Sequence, residues 1–288
     1  MNEKQQYIIK NIESFNIKHI FECGQCFRWN IQEDGSYTGV FKNNVLNVKQ
    51  EENTVTFSGI CEGNIQDVCE EYFDLKTDYN QIKEKLSKID EYLKNSITYG
   101  EGIRILNQEL WETIISFIIS ANNNIPRIKG IIERMSTQYG NKIIFKNKEY
   151  YTFPSIEQLS KASVEDLRKL GLGFRDKRIY ETTKIFNEKK MTLEELKNEN
   201  STEKLREKLL LLPGVGPKVA DCIMLFSFKK YDVFPVDVWV RRVMNELYIK
   251  NEDETKVTNK ELQKLAKEKY DVLAGLAQQY LFYWKREA

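Results

Sequence analysis

Two ionisable residues occupy positions from which a chain could do chemistry. Lys218 follows Pro213-Gly214-Val215-Gly216-Pro217 and falls in the first turn of an apolar helix, where a cation opposes the helix dipole. A purely structural sequence more often puts an acid there. Positive potential and partial burial both lower a lysine's pKa from about 10.4 towards neutrality, which makes a free amine available as a nucleophile. Downstream, Phe234-Pro235-Val236-Asp237 leads into a second apolar run, VWVRRVM. Asp237 is placed to cap that helix, a sufficient structural reason for it. A carboxylate at one helix start near an amine at another also suits a reaction in which positive charge builds on a sugar.

The elements that must position these groups can be read around them. Leu209 to Phe228 (LLLLPGVGPKVADCIMLFSF) is an apolar helix end, a glycine turn and a second apolar helix. Gly214 and Gly216 let the backbone turn tightly while Val215 plugs the space between the helices. The amides of the turn and of the following helix start then point outward together as a phosphate-binding nest. Carbonyls of the same turn could hold a monovalent cation. Taken alone, the turn fits an ordinary helix–turn–helix corner equally well.

Upstream, the first hundred residues carry period-two patterning. Phe27, Trp29 and Ile31 alternate with polar neighbours, Asp34-Gly35 offers a hairpin turn, and new runs start at Tyr37, Val45 and Thr54, with Asn43-Asn44 separating the first two. A helix capped by Asp78 is expected to carry Tyr79, Ile82, Leu86, Ile89 and Leu93 on one face. From about residue 100 the period becomes helical and is expected to stay so. Ser163 with Asp166, and Thr192 with Glu195, resemble capping boxes. The fold class expected is α+β: an antiparallel sheet domain with helices over 1–100, then an all-α domain over 101–288.

Composition narrows the function less than the motifs do. The chain has 288 residues, 41% hydrophobic and 30% charged, with 44 basic and 43 acidic residues for a net +1. That balance argues neither for nor against nucleic acid, since phosphate binding needs a local basic face. No apolar run reaches membrane-spanning length, and the polar start MNEKQQY lacks a signal-peptide pattern. A cytoplasmic protein is expected. Five cysteines without a secretion signal suggest thiols rather than a disulfide framework. The C-x-x-C of Cys23 and Cys26 has no second pair at zinc spacing, and His19 is the lone histidine, so neither a zinc site nor histidine-assisted catalysis is expected.

Leu212 to Cys222 (LPGVGPKVADC) followed by Val233 to Asp237 (VFPVD) resembles the hairpin and catalytic segment of the helix-hairpin-helix DNA glycosylases. Lys218 and Asp237 hold that family's catalytic positions. Alkylation-repair members lack the lysine, and the endonuclease III type carries a four-cysteine iron–sulfur cluster that this chain, with no cysteine after Cys222, cannot build. The 8-oxoguanine DNA glycosylase branch resembles nearly the whole chain. CGQCFRW (23–29) resembles its N-terminal segment, where Gly24 matches the glycine whose carbonyl accepts from the N7–H of the oxidised base. Normal guanine has only an acceptor at N7, so a bare carbonyl is a sensible reader. AGLAQQYLF (274–282) places Gln278 at the glutamine that binds the base's Watson–Crick edge, with Phe282 as the ring stacked on one face. Cys222 matches the thiol on the other face. Without the resemblance, Phe282 and Cys222 read as core and Gly24 as a turn.

The resemblance also implies a set of contacts to double-stranded DNA. SANNNIPR (120–127) places Asn122 in the space the base vacates and Arg127 on the orphaned cytosine, while GLGFR (171–175) supplies Phe174 as a wedge and Arg175 as the second arginine. Gly214 and Gly216 would face phosphate. Two positions depart from the family: Phe174 stands for a tyrosine, and Trp239 for a phosphate-contacting histidine. The implied protein excises 8-oxoguanine and then cuts the strand, with no organic cofactor or catalytic metal and no membrane partner; a monomer is expected because contact with DNA needs only one copy. A glycosylase for another oxidised base and a module that only binds DNA are the alternatives. The second leaves Lys218, Asp237 and Gln278 without purpose.

Overall fold

The computed structural model describes residues 4–287. Five strands, β1 (Gln5–Ile9), β2 (Trp29–Ile31), β3 (Tyr37–Phe41), β4 (Asn44–Glu51) and β5 (Thr54–Ile60), form an antiparallel sheet in the order β1-β5-β4-β3-β2. The meander expected from period-two patterning is its β2 to β5 part. β1 was not foreseen; it adds to the free edge of β5, pairing from Gln5 with Gly59 to Ile9 with Val55. Phe27 lies outside β2, which begins at Trp29. The β3–β4 turn is Lys42-Asn43, one residue earlier than expected, with Lys42 left-handed (φ +50°). Asn44 joins β4 instead, because its side-chain oxygen accepts from the Glu62 amide at 2.8 Å.

The helix expected from Asp78 to Leu93 is two helices, Tyr79–Ser87 and Glu91–Tyr99. The break is made by Asp90, whose carboxylate takes the Leu93 amide at 2.9 Å and starts the chain afresh. From there the helical period holds with one exception. β6 (Lys142–Phe145) and β7 (Lys148–Tyr151) form a hairpin inside the stretch expected to be all helix. Its two-residue turn, Lys146-Asn147, has both residues left-handed (φ +50° and +59°), as a type I′ turn requires. Lysine is an unusual occupant, which is why the turn escaped notice. The hairpin has a purpose in packing: Phe145 joins Val40 and Val45 on the outer face of the sheet, so every residue of β3 is buried. Both expected capping boxes form, Ser163 with Asp166 and Thr192 with Glu195.

Two apolar cores result. The smaller gathers Phe21, Trp29, Phe57 and Phe73 under the sheet. The larger fills the helical part and takes in Tyr79, Leu86, Leu93 and Ile97 from upstream of residue 100. Buried polar groups tie the two together. Arg104 donates to the Asp74 carbonyl at 2.7 Å, and Lys229 pairs with the Asp74 carboxylate at 2.6 Å. Arg28, 3% exposed, bridges Glu133 and the Tyr151 carbonyl. Among the described residues no helix is long and apolar enough to cross a membrane.

Candidate active site

The hairpin runs from the helix Thr202–Leu210 through the glycine turn into the helix Pro217–Phe228. A buried ion pair pins the two helices: Arg206 donates twice to one oxygen of Asp221, at 3.0 and 2.6 Å. Gly214 is demanded by the fold. Its φ is +87°, and a Cβ there would meet Arg178 Cδ at 2.8 Å and Ile118 at 3.1 Å. Gly216 is different, since a Cβ there would meet nothing within 4 Å. It caps the second helix without a side-chain hydrogen bond, leaving the first-turn amides open to an outside anion. Val215 is buried, as the plug expected of it.

Lys218 is half-buried, and its Nζ lies 5.4 Å from the centre of the Phe117 ring. That ring stacks on Phe226 and takes the edge of Phe27. Asp237 caps the helix Val238–Met244, its Oδ1 accepting from the Val240 amide at 2.8 Å. The second oxygen makes no hydrogen bond among the described residues. Both groups line one cavity of about 420 Å³, together with Gly24, Phe27, Phe117 and Phe282. That volume lies within the range of small-molecule sites. Cys222 adjoins the lysine but is buried, and burial pushes its thiol up to about 11 against the opposing pull of Lys218.

Gly24 reaches this cavity on a turn that is locked from below. The neighbouring Gln25 is fully buried and uses its whole amide: it donates to the Ile20 and Arg104 carbonyls and accepts from the Leu106 amide, all within 2.9 Å. Gly24 has φ +84°, and a Cβ there would press on the Phe282 ring at 3.3 Å. Phe282 comes from the helix Ala274–Glu287. Gln278, one turn earlier on that helix, is buried and does not line the opening; its side-chain oxygen accepts from Gln279 at 2.8 Å.

The residues expected to meet DNA lie around the mouth. Asn122 is exposed and left-handed (φ +51°). Arg127 is exposed and donates to the Gly171 carbonyl at 3.2 Å. Phe174 is 56% exposed and Trp239 49%. Arg175 alone turns inward. It is 1% exposed and donates to the carbonyls of Ala121 and Asn122, the latter at 2.6 Å. Its position supports the loop that carries Asn122 rather than presenting a fork to solvent. Asn124 caps the next helix through the Arg127 amide at 3.0 Å, which accounts for one of the three asparagines structurally.

Sequence reading passed over several residues that the fold brings here. Asn123, Phe27 and Phe117 line the cavity; the aromatic pair carries no local signal beyond apolar patterning. Arg178 sits 5.1 Å over the Phe174 ring and packs against Gly214. Arg286 also lines the cavity, from the last turn of the chain.

Comparison with known proteins places this geometry. Residues 7–114 match the 8-oxoguanine DNA glycosylase N-terminal domain, and residues 115–268 match the HhH-GPD superfamily of base excision DNA repair proteins. The chain is 33% identical over 238 residues to a probable N-glycosylase/DNA lyase of Methanothermobacter thermautotrophicus, covering 76% of this chain and 74% of that one. It is similar to the crystal structure of Clostridium acetobutylicum 8-oxoguanine glycosylase/lyase in complex with double-stranded DNA containing cytosine opposite 8-oxoguanine. That match has 43% identity and a TM-score of 0.93, over 100% of this chain and 98% of that one. A structure of MBOgg1 with a low-affinity DNA ligand matches at 48% identity and a TM-score of 0.93, over 98% and 96%.

Proposed function

Because this chain belongs to the HhH-GPD superfamily of base excision DNA repair proteins, we propose that it is a DNA glycosylase and abasic-site lyase that removes 8-oxoguanine from duplex DNA. The observation that carries the reading is that Lys218, Asp237, Gly24 and Phe282, drawn from four separate elements, line one base-sized cavity. The duplex bends and the damaged nucleotide leaves the stack, at a cost of a few kcal/mol offset by phosphate contacts and by insertion of Asn122 and Phe174. Arg127 serves the strand opposite, while Arg175, buried against the Ala121 and Asn122 carbonyls, holds the loop that enters the duplex. Gly24 and Phe282 meet the base from the cavity wall, and Gln278 and Cys222 must turn out of their buried positions to test it.

Lys218 then attacks C1′ of the sugar. The bond from C1′ to the base nitrogen breaks, and the base leaves with the electron pair. Asp237 stabilises the positive charge that builds on the sugar. Loss of the amine protons and ring opening give an imine between Nζ and C1′. Removal of a C2′ proton expels the 3′ phosphate, cutting the strand, and water releases the lysine. None of these steps calls for a divalent metal, so dialysis against a chelator is expected to leave turnover unchanged. Because contact with DNA needs one copy, we propose a monomer, cytoplasmic and associated with the nucleoid if bacterial.

Borohydride trapping tests the reading. With a duplex containing 8-oxoguanine opposite cytosine, a covalent adduct is expected from the natural chain and none from Lys218→Gln. An adduct that persists in Lys218→Gln removes the nucleophile from the proposal. Faster release of another lesion from a panel of substrates would replace 8-oxoguanine as the target.

A further inference from the structure

Arg286 lines the same cavity but is not needed by the chemistry just described. It stands on the helix Ala274–Glu287 at the same face as Gln278 and Phe282, each four residues from the next. Its side chain is 16% exposed. One guanidinium makes four contacts. Its Nη2 donates to the Glu22 backbone carbonyl, two residues before Gly24. Its central carbon lies 5.0 Å from the centre of the Phe282 ring. Its Nη1 lies 3.2 Å from where a Cβ on Gly24 would sit. Glu287 holds the remaining Nε at 2.8 Å.

Nη1 is buried and has no hydrogen-bond partner among the described residues. A buried donor left unpaired is uncommon in a folded protein and calls for a reason. A simple anchor for the C-terminal helix would not need it, since Nε and Nη2 already make that attachment. The planar fork instead packs over the Phe282 ring and keeps a positive edge at the Gly24 turn.

We propose that Arg286 is a positioning residue for lesion recognition: it fixes the placement of the Gly24 carbonyl, which reads an edge of the base, against the Phe282 ring, which stacks on its face. The inference rests on the glycosylase reading above. It predicts a loss confined to the step that needs a base in the cavity.

The test compares Arg286→Ala, Arg286→Met and Arg286→Lys on two duplexes, one with 8-oxoguanine opposite cytosine and one with a preformed abasic site. Single-turnover excision of the base is expected to fall about tenfold in Arg286→Ala. Arg286→Met, which keeps the packing without the charge, should fall equally, and Arg286→Lys less. Strand cleavage at the abasic site and affinity for abasic DNA should change less than about twofold, since neither needs a base in the cavity. Natural excision rates in Arg286→Met would show that bulk alone matters and overturn the proposal. So would equal losses on both duplexes, which would mark a general disturbance of the fold. Failure of the natural chain itself to excise 8-oxoguanine, with abasic cleavage intact, would overturn the proposed substrate and this inference with it.

Discussion

Gly24, Lys218, Asp237 and Phe282 line one cavity, whereas Asn122, Arg127 and Phe174 face solvent. The first group is held from within the fold: Gln25 under Gly24, the Val240 amide on one oxygen of Asp237, and the aromatic floor under Lys218. The second group is backed from behind, Asn122 through the loop carbonyls that Arg175 binds and Phe174 through the guanidinium groups of Arg175 and Arg178. The contrast separates two tasks. Reacting groups must stand within a fraction of an ångström of their target, so their support is built into the fold. Residues that enter a duplex gain their partners on binding and can wait exposed.

The sharpest way to break this comparison is to remove the nucleophile. Lys218→Gln should lower single-turnover excision about a thousandfold or more, with affinity for the lesion duplex within about twofold, because the lysine belongs to the reacting group alone. Retained excision would dissolve the distinction. Asp237→Asn should slow excision about a hundredfold. Asparagine caps a helix about as well as aspartate, so thermal unfolding should barely shift; a large drop in the melting temperature would show that Asp237 is mainly a cap.

Arg175→Ala tests the support behind the rim. It strands the carbonyls of Ala121 and Asn122, which Arg175 now binds, and should cost about 2–3 kcal/mol of stability. Calorimetry should show the loss, and fluorescence anisotropy should show weaker duplex binding. Unchanged stability would mean that Arg175 leaves its carbonyls without penalty and is free to reach an opposite base. The smallest effect is expected at the wedge itself. Phe174→Ala should weaken duplex affinity about fivefold with no change in stability, as suits a ring 56% exposed, and Phe174→Tyr should stay within about twofold of the natural chain.

Much of this was legible in the chain because local rules govern it. The positions of Lys218 and Asp237 follow from two helix starts, and helix starts announce themselves through turn glycines, prolines and capping side chains. Ser163 and Thr192 announced theirs in the same way. Where the local signal was weak or ambiguous the reading slipped. Lys146-Asn147 makes a hairpin turn without glycine, and Asp90 divides a helix whose apolar stripe continues past it. β1 pairs with a strand some fifty residues away, and no nearby residue records that.

The places of Lys218 and Asp237 on helices were therefore set by sequence alone, and the resemblance to the family was carried by the segments around them, LPGVGPKVADC and VFPVD. Tertiary structure decided what surrounds them. That Phe117 lies under Lys218, that Gln25 locks Gly24, that Arg175 points inward while Arg127 does not, and that Arg286 reaches back to the Glu22 carbonyl are all contacts between distant segments. A side chain's type and its neighbours along the chain set which way a helix starts. Only the packing of whole elements sets which way that side chain faces and what it meets there.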